Sequence, residues 1–265
     1  MIAVLWVCVN FMQSLLHKHP YDTEVAMENI IEARNVCMDF QIGDGSTVHA
    51  LKGINLEIKP HKLSVLRGRS GSGKTTLINI LGALDKPTSG EVFFLDKEND
   101  ITKLGEPARD KLRRYDMAFV FQSVALISTM TAFENVEFAL RMTKLPYKER
   151  IERAKQSLVQ VGLEKRMHHR PGEMSGGEQQ RVAIARAVAV APKIIFADEP
   201  TAELDSPTGF AVMKLFRDLV KQNDLTIVMT THDTSMMECA DIVYTLEDGV
   251  ISDVTENEIK EDADA

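Results

Sequence analysis

The sequence predicts an α/β protein with a mostly parallel core sheet, and three observations carry that expectation. Short, continuously apolar runs rich in β-branched residues recur at 63–68 (LSVLRG), 193–199 (KIIFADE) and 226–233 (TIVMTTHD), as strands covered on both faces require. Helical patterns such as TTLINILGAL and GFAVMKLFRDLVKQ lie between them, and strands alternating with helices imply parallel pairing. Each run ends in chemistry-bearing residues: a glycine loop, two acids, a histidine. Ligands of parallel sheets gather outside the carboxyl ends of the strands, so the three clusters reinforce one another.

Along the chain, the first stretch is the least ordinary. MIAVLWVCVNFMQSLL is sixteen residues, largely apolar and uncharged, short of the about 20 that a membrane span needs. It has no basic n-region and no small-residue cleavage site, which argues against a signal peptide. It reads as a disordered or interfacial appendage, as a weak anchor, or as sequence upstream of the true start; the last is preferred, because Met27 in MENIIEARNV opens an ordinary amphipathic strand. Residues 28–62 alternate apolar and polar around a Gly/Asp turn, predicting an antiparallel strand layer beside the core. Residues 123–172 carry helical patterns (AFENVEFALRM, KERIERAKQSLVQVG) and predict a helical subdomain inserted between two core strands.

Length and composition bound the rest. A chain of 265 residues, 44% hydrophobic and 26% charged, suits one large soluble domain or a domain with a subdomain. The net charge of −8 is local: residues 246–265 hold eight acids and one Lys, so the other 245 sum to −1. That excludes a broad basic face, and no nucleic-acid partner is expected; the acidic end reads as a solvated, frayed terminus. Cys8, Cys37 and Cys239 are scattered without metal-ligand spacing, which fits a reducing cytosol.

The chemistry begins at GRSGSGKTT: Gly68, Arg69, Ser70, Gly71, Ser72, Gly73, Lys74, Thr75 and Thr76. The spacing is G-x-x-x-x-G-K-[ST], in which glycines let backbone wrap phosphate, Lys reaches the β/γ oxygens and Thr offers a hydroxyl to Mg²⁺. A Gly-rich turn capping a helix is the bland alternative; the preceding strand and following helix favour phosphate. Asp198 and Glu199 follow the second apolar run. Alone they read as a strand-end cap; beside a phosphate loop, Asp198 would hold Mg²⁺ through water and Glu199 would polarise the attacking water. A guanine-reading NKxD motif is missing, which favours ATP. His232 and Gln122 are bland singly. EMSGGEQQRVAIARA, 173–187, places Ser175, Gly176 and Gly177 at a helix start, a second anion cradle.

These residues together resemble the nucleotide-binding domain of ABC ATPases, over about residues 28–251. The resemblance implies a P-loop NTPase ABC cassette: a mixed parallel core sheet, an N-terminal antiparallel β layer and an inserted helical subdomain at about 123–178. Residues 1–27 then form an extension and 252–265 an acidic tail. MSGGE resembles the family signature LSGGQ, with Met174 for Leu and Glu178 for Gln. Gln122 matches the Q-loop, His232 the switch histidine and Asp205 the D-loop, while Phe40 falls near the aromatic that stacks on adenine or serves simply as strand packing. The family's cofactors, ATP and Mg²⁺, follow, with Thr75, Asp198 and Gln122 toward the metal and Glu199, His232 and Gln122 toward catalysis. Two copies are expected head to tail as a homodimer, each signature closing on the other's phosphate loop.

LDKPTSGEV and FVFQSVALISTMTAFENVEFAL are similar to macrolide-efflux, lipoprotein-releasing and peptide-antibiotic exporter ATPases. That branch implies a peripheral protein on the cytoplasmic face of the membrane, docked through residues 122–145 on a separately encoded integral-membrane permease. Leu126, Ile127 and Met130 would form that docking surface or lie in the subdomain core. A relative that signals to a membrane partner in cell division without moving substrate is the alternative.

Overall fold

The computed structural model describes residues 28–43 and 45–257, with Thr234 and Ser235 by backbone alone; the expected extension, residues 1–27, lies outside the described residues. Two sheets organise the described residues. Strands β1 (Ile31–Gln41), β2 (Thr47–Ile58) and β4 (Ser89–Phe94) form a three-stranded antiparallel sheet in the order β2-β1-β4. The larger sheet runs β5-β6-β7-β3-β8-β9, from β3 (Leu63–Arg67), β5 (Met117–Val120), β6 (Ile194–Ala197), β7 (Thr226–Thr231), β8 (Ile242–Glu247) and β9 (Val250–Glu256). Its pairings are parallel as far as β8, and β9 is antiparallel. The mixed α/β architecture expected from the sequence is present.

The central strands are apolar throughout because both faces are covered. Every residue of β6 and β7 is buried. Alternate side chains of one strand serve opposite cores. Ile195 and Ala197 join a core with the helical layer, whereas Ile194 and Phe196 face the antiparallel sheet. Tyr244 ties the layers, its hydroxyl donating to the Glu57 carbonyl.

Among the described residues there are six α-helices: α1 (Lys74–Leu81), α2 (Glu106–Tyr115), α3 (Ala132–Leu140), α4 (Tyr147–Gln160), α5 (Gly176–Ala189) and α6 (Ser206–Asn223). Helices α3 and α4 fall between β5 and β6 and pack on α5 through Val136, Leu140, Leu158 and Ile184. Thr131 starts α3 with a capping box, its hydroxyl accepting from Glu134 N while Glu134 takes the Thr131 N–H. No helix among the described residues is long and apolar enough to cross a membrane.

The first residues of the acidic tail expected at 252–265 belong to a strand: β9 continues to Glu256, pairing Ile242 with Glu256, and the residues from 258 lie outside the described residues. An edge strand tolerates the charges that made this segment read as a frayed end, and Lys59 pairs with Glu256 at 2.6 Å.

Candidate functional site

The site grows from the end of β3. Gly71 and Gly73 hold φ of 81° and 104°, the left-handed side that glycine adopts without strain. A Cβ at Gly68 would fall 2.3 Å from the Leu246 carbonyl oxygen, and one at Gly73 would fall 2.7 Å from that of Ala50. The loop therefore packs too closely against neighbouring backbone to admit side chains at these two positions. No side chain caps α1, and its first turn has no acid, which leaves the helix N-terminus open to an anion. Ser72 is 6% exposed, and its Oγ has no hydrogen-bond partner among the described residues.

Lys74 is 5% exposed. Its Nζ donates to the carbonyls of Gly68 at 2.9 Å and Arg69 at 3.0 Å, so the ammonium lies inside the loop. It also approaches Glu199 Oε1 at 3.7 Å. The acids stand where β6 ends: Asp198 Oδ1 accepts from Thr75 Oγ1 at 3.2 Å and from Thr230 Oγ1 at 2.6 Å. Glu199 has φ of 45°, a conformation costing a non-glycine residue about 1–2 kcal/mol. The Thr230 hydroxyl accepts from Glu199 N at 2.8 Å and so holds that turn. His232 Nδ1 lies 3.3 Å from Glu199 Oε2.

Lys74, Thr75, Asp198, Glu199 and His232 thus converge from three segments, the phosphate loop and the ends of β6 and β7. Gln122 leaves the neighbouring strand end: Val120 pairs with Ala197, its carbonyl accepts from Asp198 N at 2.9 Å, and Gln122 follows two residues later, exposed. Phe40 is 43% exposed on β1, paired with Val48. Thr230 was not singled out in the sequence. The register of Met229 against Ala197 brings it beside the acids, and the doubled Thr of TTHD at a strand end was its only signal.

The second cradle is elsewhere. Ser175 caps α5: its Oγ accepts from Glu178 N at 3.2 Å, and Glu178 Oε2 accepts from Ser175 N at 2.8 Å. Asp205 caps α6, accepting from Thr208 N at 2.9 Å and Thr208 Oγ1 at 3.0 Å; these bonds, the Thr208 N–H foremost, hold its carboxyl below the usual carboxylate range. The two helix starts touch, because a Cβ on Gly177 would come within 2.3 Å of Thr208 Cγ2. Among the described residues no hydrogen bond or ion pair joins 175–178 to the phosphate loop of the same chain.

A surface groove of about 350 Å³ opens between α2, β5, the end of α3 and α5, lined by Asp110, Arg113, Phe119, Met142 and Arg186 among others. Arg186 donates to the Ala125 carbonyl at 2.6 Å and the Val124 carbonyl at 3.1 Å, tying α5 to the segment after Gln122. The two readings of that segment divide: Leu126 packs on the helical core, while Ile127 is 37% exposed.

Fold and cluster together define a P-loop nucleotide-hydrolysing protein. Residues 51–202 match the family model described as ABC transporter, and the chain belongs to that family. It is 40% identical to the lipoprotein-releasing system ATP-binding protein LolD of Acinetobacter baylyi, over 83% of this chain and 96% of that protein. It is 42% identical to the macrolide export ATP-binding/permease protein MacB of Wolinella succinogenes, over 88% of this chain and 36% of that longer protein. Among solved structures, the ATP-binding cassette MJ0796, described as a dimer in a post-hydrolysis state bound to ADP and Pi, superposes with a TM-score of 0.77 at 38% identity, covering 87% of this chain and 99% of that one. The chain is an ATP-binding cassette of the ATPase class.

Proposed function

We propose that this chain is the ATP-hydrolysing subunit of an exporter of peptides, lipids or drugs. It would work as a homodimer around two ATP, peripheral to the cytoplasmic face of the membrane and docked on a separately encoded permease. The observation that carries the hydrolytic reading is Glu199, held between Lys74 and His232 at a strand end beside Asp198.

The loop from Gly68 to Thr76 fits a polyphosphate: its glycines admit no side chain at the turn, Ser72 Oγ is buried and unpartnered, and the α1 N-terminus is uncapped. Lys74 neutralises the phosphates, and exposed Phe40 offers a face to adenine. Thr75, Asp198 and Gln122 would hold Mg²⁺, which when bound supplies charge neutralisation across the phosphate oxygens. Glu199 takes the proton of the attacking water at its carboxylate. His232 Nδ1 orients that carboxylate, and Thr230 holds the backbone beneath it. Phosphoryl transfer needs such positioning and charge stabilisation more than covalent chemistry.

The placement of Ser175–Gly177 supports the shared site: with no bond to its own phosphate loop, that cradle is free for a partner copy, and Asp205 caps the adjoining helix at the same junction. The groove beside Met142 and Arg186, with exposed Ile127 nearby, suits a short helix of a permease. The test is to tag the chain, solubilise membranes gently and identify what co-purifies. A stoichiometric polytopic permease supports the transporter. A membrane partner that moves no substrate, or soluble proteins alone, overturns it and leaves the ATPase.

A further inference from the structure

Glu178 stands where the resembled signature carries a neutral glutamine, and its carboxylate is fully engaged. Oε2 accepts from Ser175 N at 2.8 Å, and Oε1 meets Arg166 Nε at 3.0 Å. The Ser175 N–H holds the Glu178 carboxyl below the usual carboxylate range, against the opposing effect of burial; the Ser175 hydroxyl and the charges of Arg166 and Arg181 add to it. The signature therefore carries a full negative charge at neutral pH, one residue from the Gly177 amide.

For α5 alone this charge is favourable, because an acid in the first turn complements the helix dipole and completes the capping box. For an anion cradle it is adverse. A phosphate approaching Ser175–Gly177 meets a like charge a few ångströms away, well inside the Debye length of about 10 Å at 0.1 M salt. Arg181 of the same helix contributes charge at a distance, and the direct ion pair comes from outside the helix. Arg166 ends the short turn Glu164–Arg166, is 46% exposed, and also meets His169 Nε2 at 3.1 Å.

We propose that Arg166 is a positioning residue that neutralises Glu178, so that Ser175–Gly177 can accept the γ-phosphate held by a second copy of this chain. The inference rests on the shared-site reading above. Glu178 completes the capping box, which fixes the Ser175 hydroxyl as acceptor toward Glu178 N. Arg166 removes the electrostatic cost of using an acid for that task. A glutamine at 178 would keep the box and need no arginine.

The experiment uses the full chain with Glu199→Gln, which arrests turnover, and reads the ATP-driven monomer–dimer equilibrium by sedimentation. Arg166→Ala should weaken the ATP-bound dimer about fivefold per shared site, the upper span of an exposed ion pair. The defect should shrink at 0.5 M salt. Arg166→Ala/Glu178→Gln should dimerise within about twofold of the parent, and ADP titration of each monomer checks the phosphate loop. Parent-like dimerisation of Arg166→Ala, or failure of Glu178→Gln to restore it, overturns the role of Arg166. A Glu199→Gln parent that stays monomeric with ATP overturns the shared-site reading, and the inference with it.

Discussion

Glu199 and His232 face each other at 3.3 Å, with Lys74 Nζ 3.7 Å from the other oxygen of the same carboxylate. One carboxylate thus bridges the phosphate loop and the end of β7. Glu199→Gln keeps the shape and removes the base, so turnover should fall by about 10²-fold or more, the scale of general-base catalysis. ATP should then accumulate a dimer on size-exclusion chromatography; only monomer with Mg-ATP would sink the shared site.

The φ of 45° at Glu199 gives a second prediction. Glu199→Gly relieves the left-handed strain that Glu199→Ala retains. Although glycine has the larger unfolded-state entropy, the glycine variant should be the more stable by about 1 kcal/mol in chemical denaturation. Equal stability would mean that the turn stores no strain.

Thr230 lies fully buried with its hydroxyl shared between Asp198 Oδ1 and Glu199 N. Thr230→Val keeps the shape and removes both bonds, leaving the Glu199 N–H unpaired at a cost of about 1–3 kcal/mol. We expect kcat to drop about tenfold and the Mg²⁺ concentration needed for half-activity to rise, while Thr230→Ser retains both. A valine variant with parent kinetics would make the hydroxyl purely structural.

Gly177 packs against Thr208, whose methyl lies 2.3 Å from where a Cβ would stand. Gly177→Ala should therefore lower stability by about 1–3 kcal/mol, as overpacking does. Thr208→Ser removes the methyl and keeps the hydroxyl that binds Asp205. The double variant should recover most of the loss in thermal unfolding; additive losses would show that Thr208 is not the obstacle.

Glu134, Glu178 and Asp205 each accept a backbone N–H at a helix start, from Thr131, Ser175 and Thr208 in turn, and those bonds hold their carboxyls below the usual range. A carboxyl depressed in the folded state stabilises above its unfolded pKa, and the gain is lost as pH falls through the folded value. Melting temperature should therefore decline as pH drops below about 4. Glu134→Gln should shallow that decline, and an unchanged slope would remove Glu134 from the account.

What the sequence by itself determined is what local rules dictate. Gly68 to Thr75, Asp198 with Glu199, and His232 were legible because each ends an apolar strand, and a parallel sheet places strand ends together. The capping boxes at Thr131 and Ser175 follow an S/T-x-x-E pattern, readable over four residues. Strands β4, β5 and β8 went unread: they span four to six residues, as β3, β6 and β7 do, but the glycine loop, the Asp198–Glu199 pair and His232 that single those three out have no counterpart at their ends; β9 hid behind its charge. The tertiary structure decided the rest. Thr230 reaches Asp198 through sheet register, Thr208 meets Gly177 where two helix starts pack, and Arg166 finds Glu178 across a turn. Those roles depend on distances between segments set by packing, and no spacing within one segment encodes them.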